Sequence, residues 1–402
     1  MTERTPGPDS TARRARLAVA AMFLTNGALF ANLIPRLPEL KAQLALDNTA
    51  YGLVVIAFPF GAIVAGLAAA AAIRRFGSSA VSCGATLGIS LALLAAGLAP
   101  NVVLLMLALF LGGAMDALAD VGQNAHGLRV QRRFGRSIIN SFHAIWSIGA
   151  VLGGAMSAGA IALGLPLPVH LGISGIVFCA VAFAAYRSRL PGRDDEVVPT
   201  ATGSVPAPAP KAAVTGRTVG MLVLLVLIAM AGTSVEDSGS SWAALYLGDS
   251  LGAPAALASL GFIALVGAQF VGRILGDSMV DRFGQRAVAR LGGAIVLVGM
   301  GLALAFPTVP GTIAGFAAAG FGVATLVPAA MHAADELPGL RAGTGLTIVS
   351  WLMRLGFLCS PPLVGLVADV VSLRVALLVV PLAGLVTVLA AGVLATSRRC
   401  AE

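Results

Sequence analysis

The 402-residue chain is 58% apolar and only 11% charged, with a net charge of +8, whereas a soluble domain carries about 25% charged residues. With a mean hydropathy of +0.92, this speaks against a soluble enzyme. The basic residues, all Arg except Lys41 and Lys211, stand in short clusters between apolar runs, which speaks against nucleic acid and fits the Lys/Arg excess of cytoplasmic membrane loops.

A helix that crosses hydrocarbon needs about 20 mainly apolar residues. Twelve such runs are predicted: 17–37, 50–72, 79–99, 101–126, 138–162, 168–187, 218–246, 255–276, 289–307, 309–332, 344–367 and 373–396. The first follows Arg13, Arg14 and Arg16 and outlasts the apolar core of a cleaved signal, about 7–15 residues, so it reads as an uncleaved spanning helix. Arg36, beside Pro35 and Pro38, reads as a residue of the outer rim. Gly149, Gly153 and Gly154, and Gly261, Gly267 and Gly272, read as seams where helix backbones approach closely. Cys83, Cys179, Cys359 and Cys400 have neither paired nor metal-ligand spacing, so no metal or other cofactor is expected.

The stretch from Leu111 to Gly154 holds the densest chemistry. Asp116, Asp120 and Asn124 fall at i, i+4 and i+8, on one face of helix four. An Arg-rich loop follows (Arg129, Arg132, Arg133, Arg136), and helix five then carries Asn140, His143 and Trp146 near one face. Carboxylates inside a hydrocarbon-length helix are costly, so they face a bundle interior or a water-filled cavity and mark a pathway. Asp116 lies about 22 Å along helix four, slightly past the middle of the membrane, and His143 lies about 8 Å into helix five, at a depth near that of Asp120. Because His titrates near neutrality, Asp120 with His143 reads as a proton relay. A static polar clasp between the two helices is the alternative.

Residues 188–217 are rich in Pro, Ala and Thr with mixed charge, a linker composition. They divide the chain into a six-helix bundle at 1–187 and another at 218–402. On helix seven, Glu236 and Asp237 lie in GTSVEDSGSSW, whose Gly and Ser invite a break beside a binding site. Adjacent residues diverge by about 100° around a helix, so one of the two, Glu236 by preference, faces the cavity. Trp146, Trp242 and Trp351 offer stacking faces, Trp242 equally an interfacial anchor. Arg354, near the middle of helix eleven, needs a counter-charge there, for which Asp116 and Glu236 are candidates, whereas Arg273 can snorkel. Hydrophilic connections alternate between Arg-rich and Arg-poor, which places both termini in the cytoplasm. Arg75-Phe76-Gly77 recurs as Arg282-Phe283-Gly284 at an offset of 207, which also carries Gly113 to Gly320 and Gly149 to Gly356. Duplicated six-helix halves with a site at their interface are a transporter architecture.

From Gly276 to Arg286, GDSMVDRFGQR, the chain resembles the major facilitator superfamily, which carries G-x-x-x-D-R/K-x-G-R-R/K after its second and eighth helices. The second copy keeps the D-R-x-G-x-R core, with Gly276 one place early and Asp277 at the family's Gly position. The first copy has Arg74 where the acid would stand. Helix four carries Asp116 and Asp120 in place of the buried Arg of many proton-coupled members, and helix five has glycines but no Pro before Pro166. The D-x-x-x-D-x-x-x-N, F-H-x-x-W-S-x-G and E-D-x-x-x-x-W-x-x-x-Y-L stretches are similar to a bacterial branch near sugar-permease-like and drug-efflux-like members.

The resemblance implies an all-α membrane protein of twelve transmembrane helices in two pseudo-symmetric halves. It also implies a conformational latch at Asp281, Arg282 and Arg286, with Arg75 in the first copy, or else simple headgroup anchoring by these charges. The expected protein is a monomeric secondary transporter of the bacterial inner (plasma) membrane, moving a small polar solute by alternating access with protons as coupling ion. Asp116, Asp120, His143, Glu236 and Asp237 are the candidate proton carriers, and Arg354, Trp146 and Trp351 the candidate substrate contacts. The chain has no G-x-x-x-x-G-K-[ST] phosphate cradle, which speaks against ATP as the energy source. A non-transporting receptor or scaffold of the same fold, and an intramembrane enzyme using His143 with Asp120, are the rival readings.

Overall fold

The computed structural model describes residues 10–134, 138–192, 215–340 and 344–394. Arg136, Arg341, Arg398, Arg399, Cys400 and most of the predicted linker lie outside these residues, as do the side chains of Asn140 and Asp277. Among the described residues there are twelve helices long and apolar enough to span a membrane, as expected, and no strand. They are α1 (Ser10–Gln43), α2 (Asn48–Phe76), α3 (Ser78–Gly97), α4 (Val102–Phe134), α5 (Ser141–Ala162), α6 (Leu167–Arg187), α7 (Gly216–Ser250), α8 (Ala255–Gly276), α9 (Gln285–Ala305), α10 (Val309–Asp335), α11 (Ile348–Val370) and α12 (Leu373–Val393).

Several helices differ from expectation for local reasons. The Arg-rich stretch expected as a loop is, up to Phe134, the end of α4, because cations at a helix C-terminus complement its dipole. The expected break at Glu236–Asp237 is absent: the helix is continuous from Gly216 to Leu245, where a π turn follows. Its serines stay within the helix because Ser238 and Ser240 return their hydroxyls to the carbonyls of Ser234 (2.7 Å) and Glu236 (2.9 Å). The interruptions fall elsewhere. α2 breaks at Ile56, between Asn48–Val55 and Ala57–Phe76, since Pro59 has no N–H for the Val55 carbonyl. α10 breaks between Val323 and Leu326, where Pro328 deprives Ala324 in the same way. α1 tightens into a 3₁₀ turn at Ile34–Arg36.

The chain forms two compact units, Met1–Arg36 with Ala57–Thr200, and Leu37–Ile56 with Ala201–Glu402. In the first, α5 and α6 flank α1, and α4 lies against α3 and the longer piece of α2. Glycines set the spacing of α1 and α5: a Cβ at Gly27 would strike the carbonyl of Trp146, one at Gly149 that of Leu24, and one at Gly153 that of Ala28. In the second unit, α10 lies between α8 and α9, α7 contacts α11 and α12, and the short first piece of α2 lies on α11. Asp369 of α11 caps that piece. Its Oδ1 accepts from the N–H (3.0 Å) and Nδ2 (2.8 Å) of Asn48, and its Oδ2 from the N–H and hydroxyl of Thr49, both at 2.6 Å.

The internal repeat is visible within each unit. Gly77 and Gly284 end the two Arg-Phe-Gly copies at φ of +85° and +81°, a backbone region that L side chains rarely adopt. Their N–H groups donate to Ile73 (2.8 Å) and Val280 (2.7 Å), four residues back in each case. Gly113 abuts the Phe58 carbonyl, and Gly320 abuts that of Leu265. Both members of each pair are related by the same offset of 207.

Candidate functional site

The polar site of the first unit is built around Asn26 of α1. Its Nδ2 donates to Asp116 Oδ1 on α4 at 2.8 Å, and its Oδ1 accepts from Trp146 Nε1 on α5 at 2.8 Å. The same oxygen faces Gln123 Nε2 at 3.4 Å, and Gln123 also reaches Asp120 Oδ1 at 3.3 Å. Asn124 donates to that Asp120 oxygen at 2.9 Å. Two N–H donors converge on one Asn26 atom, so that atom is the oxygen and the amide orientation is fixed. Asn26 and Gln123 are buried, at 5% and 2% exposure. Asp116 and Trp146 are half-buried and Asp120 is exposed.

Three helices thus bring Asp116, Asp120 and Trp146 together, as grouped from the sequence, through two amides that the sequence did not single out. Asn26 and Gln123 carry no charge and sit among apolar residues, so the one available signal was an amide inside a spanning run. His143 is exposed and meets the Phe23 ring edge-on, with centroids 5.2 Å apart. A separate clasp stands on the same unit. Asn32 Nδ2 donates to the Ala28 carbonyl, so its Oδ1 accepts from His170 Nε2, each at 2.8 Å. Arg36, expected on the rim, is buried and donates to the Leu165 carbonyl at 2.9 Å. It thereby satisfies the backbone just past the end of α5.

In the second unit Glu236 and Asp237 diverge. Glu236 is half-buried and accepts from Gln269 Nε2 of α8 at 3.1 Å. Asp237 is buried, with Ser241 Oγ 3.3 Å from its Oδ1. The Ser360 hydroxyl of α11 lies beside the carboxyl, yet neither it nor Asp237 Oδ2 makes a hydrogen bond of regular geometry. Tyr51 donates to the Ser241 carbonyl at 2.7 Å and meets Trp242 edge-on at 5.0 Å. Trp242 is fully buried, so it is a core residue and not an interfacial anchor. Trp351 is 59% exposed. Arg354, expected near mid-helix, stands seventh in the span Ile348–Val370 and is exposed, at the first residue of the piece Arg354–Val370 that follows a break at Met353. No ion pair joins it to Glu236 among the described residues. At the second motif copy Asp281 and Arg282 are exposed, and Arg286 Nε donates to the Leu394 carbonyl at 3.0 Å. Arg75 and Arg282 lie over the following Phe rings at 5.4 and 5.3 Å.

The polar site is not repeated. The offset of 207 carries Asn26 to Thr233, Asp116 to Val323 and Trp146 to Met353. Of these, Thr233 donates to the carbonyls of Met230 (3.0 Å) and Met353 (3.2 Å).

Twelve spanning helices in two repeated sets, with carboxyl and amide groups inside the apolar spans, define a polytopic membrane transporter fold. The chain belongs to the Major Facilitator Superfamily, whose pattern matches residues 19–279 and 222–400. It is 30% identical over 375 residues to the uncharacterized transporter y4wD of Sinorhizobium fredii (strain NBRC 101917 / NGR234), covering 92% of this chain and 96% of that one. Its fold is similar to a bacterial homolog of the human lysosomal transporter Spinster, with a TM-score of 0.73 and 14% identity over 96% of this chain and 98% of that one. It is similar also to a D-xylose-proton symporter, with a TM-score of 0.69 and 16% identity over 95% of this chain and 97% of that one. At these identities the two structures speak to fold alone.

Proposed function

We propose that the protein is a monomeric secondary active transporter of the bacterial inner membrane that carries a small hydroxylated solute by alternating access, with the proton as coupling ion. The observation that carries this reading is the Asn26–Asp116–Trp146 constellation. One amide holds a half-buried carboxyl and an indole from three helices in fixed relation. A carboxyl, two amides and an aromatic face supply the acceptors, donors and stacking surface that a sugar or similar polar solute requires. Asp116 is the principal proton carrier. Its charge is costly in a dry span and cheap in water, so protonation and a change of access are thermodynamically linked. Asp120, His143, Glu236 and Asp237 are further stations. Arg354 and Trp351 contact the solute, and Asp281, Arg282, Arg286 and Arg75 control the cycle at the Arg-rich ends, which face the cytoplasm together with both termini.

The test is flux of a panel of sugars, nucleosides and polar metabolites in proteoliposomes, with and without an imposed pH gradient. The wild type is expected to accumulate one class of solute only with the gradient. Asp116→Asn is expected to keep solute exchange but lose the response to the gradient. Parental pH dependence in Asp116→Asn and Glu236→Gln would remove the coupling assignment, and binding without flux would favour a receptor.

A further inference from the structure

We propose that the first unit binds one ordered water between α3 and α4, and that this water holds the Gln123 amide in the orientation that Asn26 and Asp120 require. A cavity of about 20 Å³ lies there, and Met22, Ser82, Gln123, His126, Tyr186 and Arg189 are among the residues that line it. One water needs about 10–15 Å³ and two to four polar partners, so the cavity takes a single water and no solute. The inference goes beyond the transport reading and holds whichever ion or solute is carried.

Two polar atoms supply the partners. The Gln123 amide spends its nitrogen on Asn26 Oδ1 and Asp120 Oδ1, at 3.4 and 3.3 Å, which leaves its oxygen for the cavity. That oxygen and the Ser82 hydroxyl are both buried without a partner in the protein, and each residue is 2% exposed. A water donates to Gln123 Oε1 and shares a second hydrogen bond with Ser82 Oγ, so it satisfies two groups that are costly to bury alone. Gly122 brings α3 close to α4 beside the cavity, since a Cβ there would stand 2.9 Å from the Ser78 carbonyl and 3.2 Å from Ser82 Cβ. His126 completes the wall and is engaged with the Ser78 hydroxyl and the Leu190 N–H, each at 3.3 Å.

Two observations select water over a small cation. No carboxylate is among the described residues lining the cavity, and Arg189, which does line it, would repel a second positive charge. An amide keeps its N–H protons and accepts only at its oxygen, so the water acts by position. With Oε1 held, Nε2 stays on Asp120 and Asn26.

The experiment is X-ray hydroxyl-radical footprinting of the purified full-length protein, because a bound water yields radicals beside the side chains it touches. Met22 and Met300 are both buried, at 8% and 0% exposure, and of the two only Met22 lines the cavity. Sulfoxide is expected to form at Met22 about tenfold faster than at Met300. S82V, which fills the space and removes the hydroxyl, should slow Met22 at least about threefold. S82T, which matches S82V in size and keeps the hydroxyl, should stay within about twofold of the wild type. A wild-type Met22 as resistant as Met300 overturns the proposal without recourse to a variant, and so do equal Met22 rates in S82V and S82T. A Met22 rate that changes when choline replaces sodium reassigns the cavity to a cation and overturns the water.

Discussion

Asn26 spends both ends of one amide on other helices, and each partner would lose differently if it were gone. Trp146 Nε1 and Gln123 Nε2 would forfeit their shared acceptor, and Asp116 its 2.8 Å donor. Leaving buried polar groups unpaired costs about 1–3 kcal/mol each. Asn26→Leu is therefore expected to lower stability in detergent by at least about 1 kcal/mol, read from thermal unfolding followed by tryptophan emission, and to abolish flux. Unchanged melting would show that the amide is not a structural hub. The carboxylates at 116 and 120 were legible because a charge in an apolar run is conspicuous. The amides that position them were not, because Asn26 and Gln123 alter hydropathy little and their roles depend on which helices become neighbours.

At the scale of the helix, glycine–carbonyl contacts and one side-chain cap do most of the positioning. A branched side chain at Gly149 would enter the Leu24 carbonyl, and one at Gly113 that of Phe58. Backbone cannot retreat as a side chain can, and overpacking costs typically about 1–3 kcal/mol. Gly149→Val and Gly113→Val are expected to lose that much or fail to fold, whereas Gly84→Ala, with open space around it, should melt like the wild type. The Asp369 cap invites a separate test. In Asp369→Ala the amides of the short first piece of α2, Asn48–Val55, should exchange hydrogen roughly tenfold faster, read by mass spectrometry. Unaltered exchange would assign the hold to Gly52 and Gly365, which abut the carbonyls of Pro361 and Asn48. Spans were legible from apolar length, while their ends were not. α4 runs on through its arginines, and α7 ignores its Gly and Ser, since hydrogen bonds of the helix itself outweigh composition there.

For the whole molecule, the offset of 207 was the most informative feature of the sequence. It is matched in space by two glycine turns and two glycine–carbonyl crossings that share it. What the repeat could not reveal is where the units divide. Leu37–Ile56 groups with the later part of the chain, because a carboxylate 320 residues away holds it. Co-expression of fragments cut within the linker is expected to give functional protein, while a later fragment purified alone should melt earlier than one with residues 37–56 supplied as a peptide. The contacts of Gly27, Gly149 and Gly153 have a last consequence. Glycines of α1 meet carbonyls of α5 and the reverse, so the two helices form one spar on which Asn26 and Trp146 ride together. Their relative position can change only by exchange of side chains, because sliding one half of the spar along the other would drive main chain into main chain.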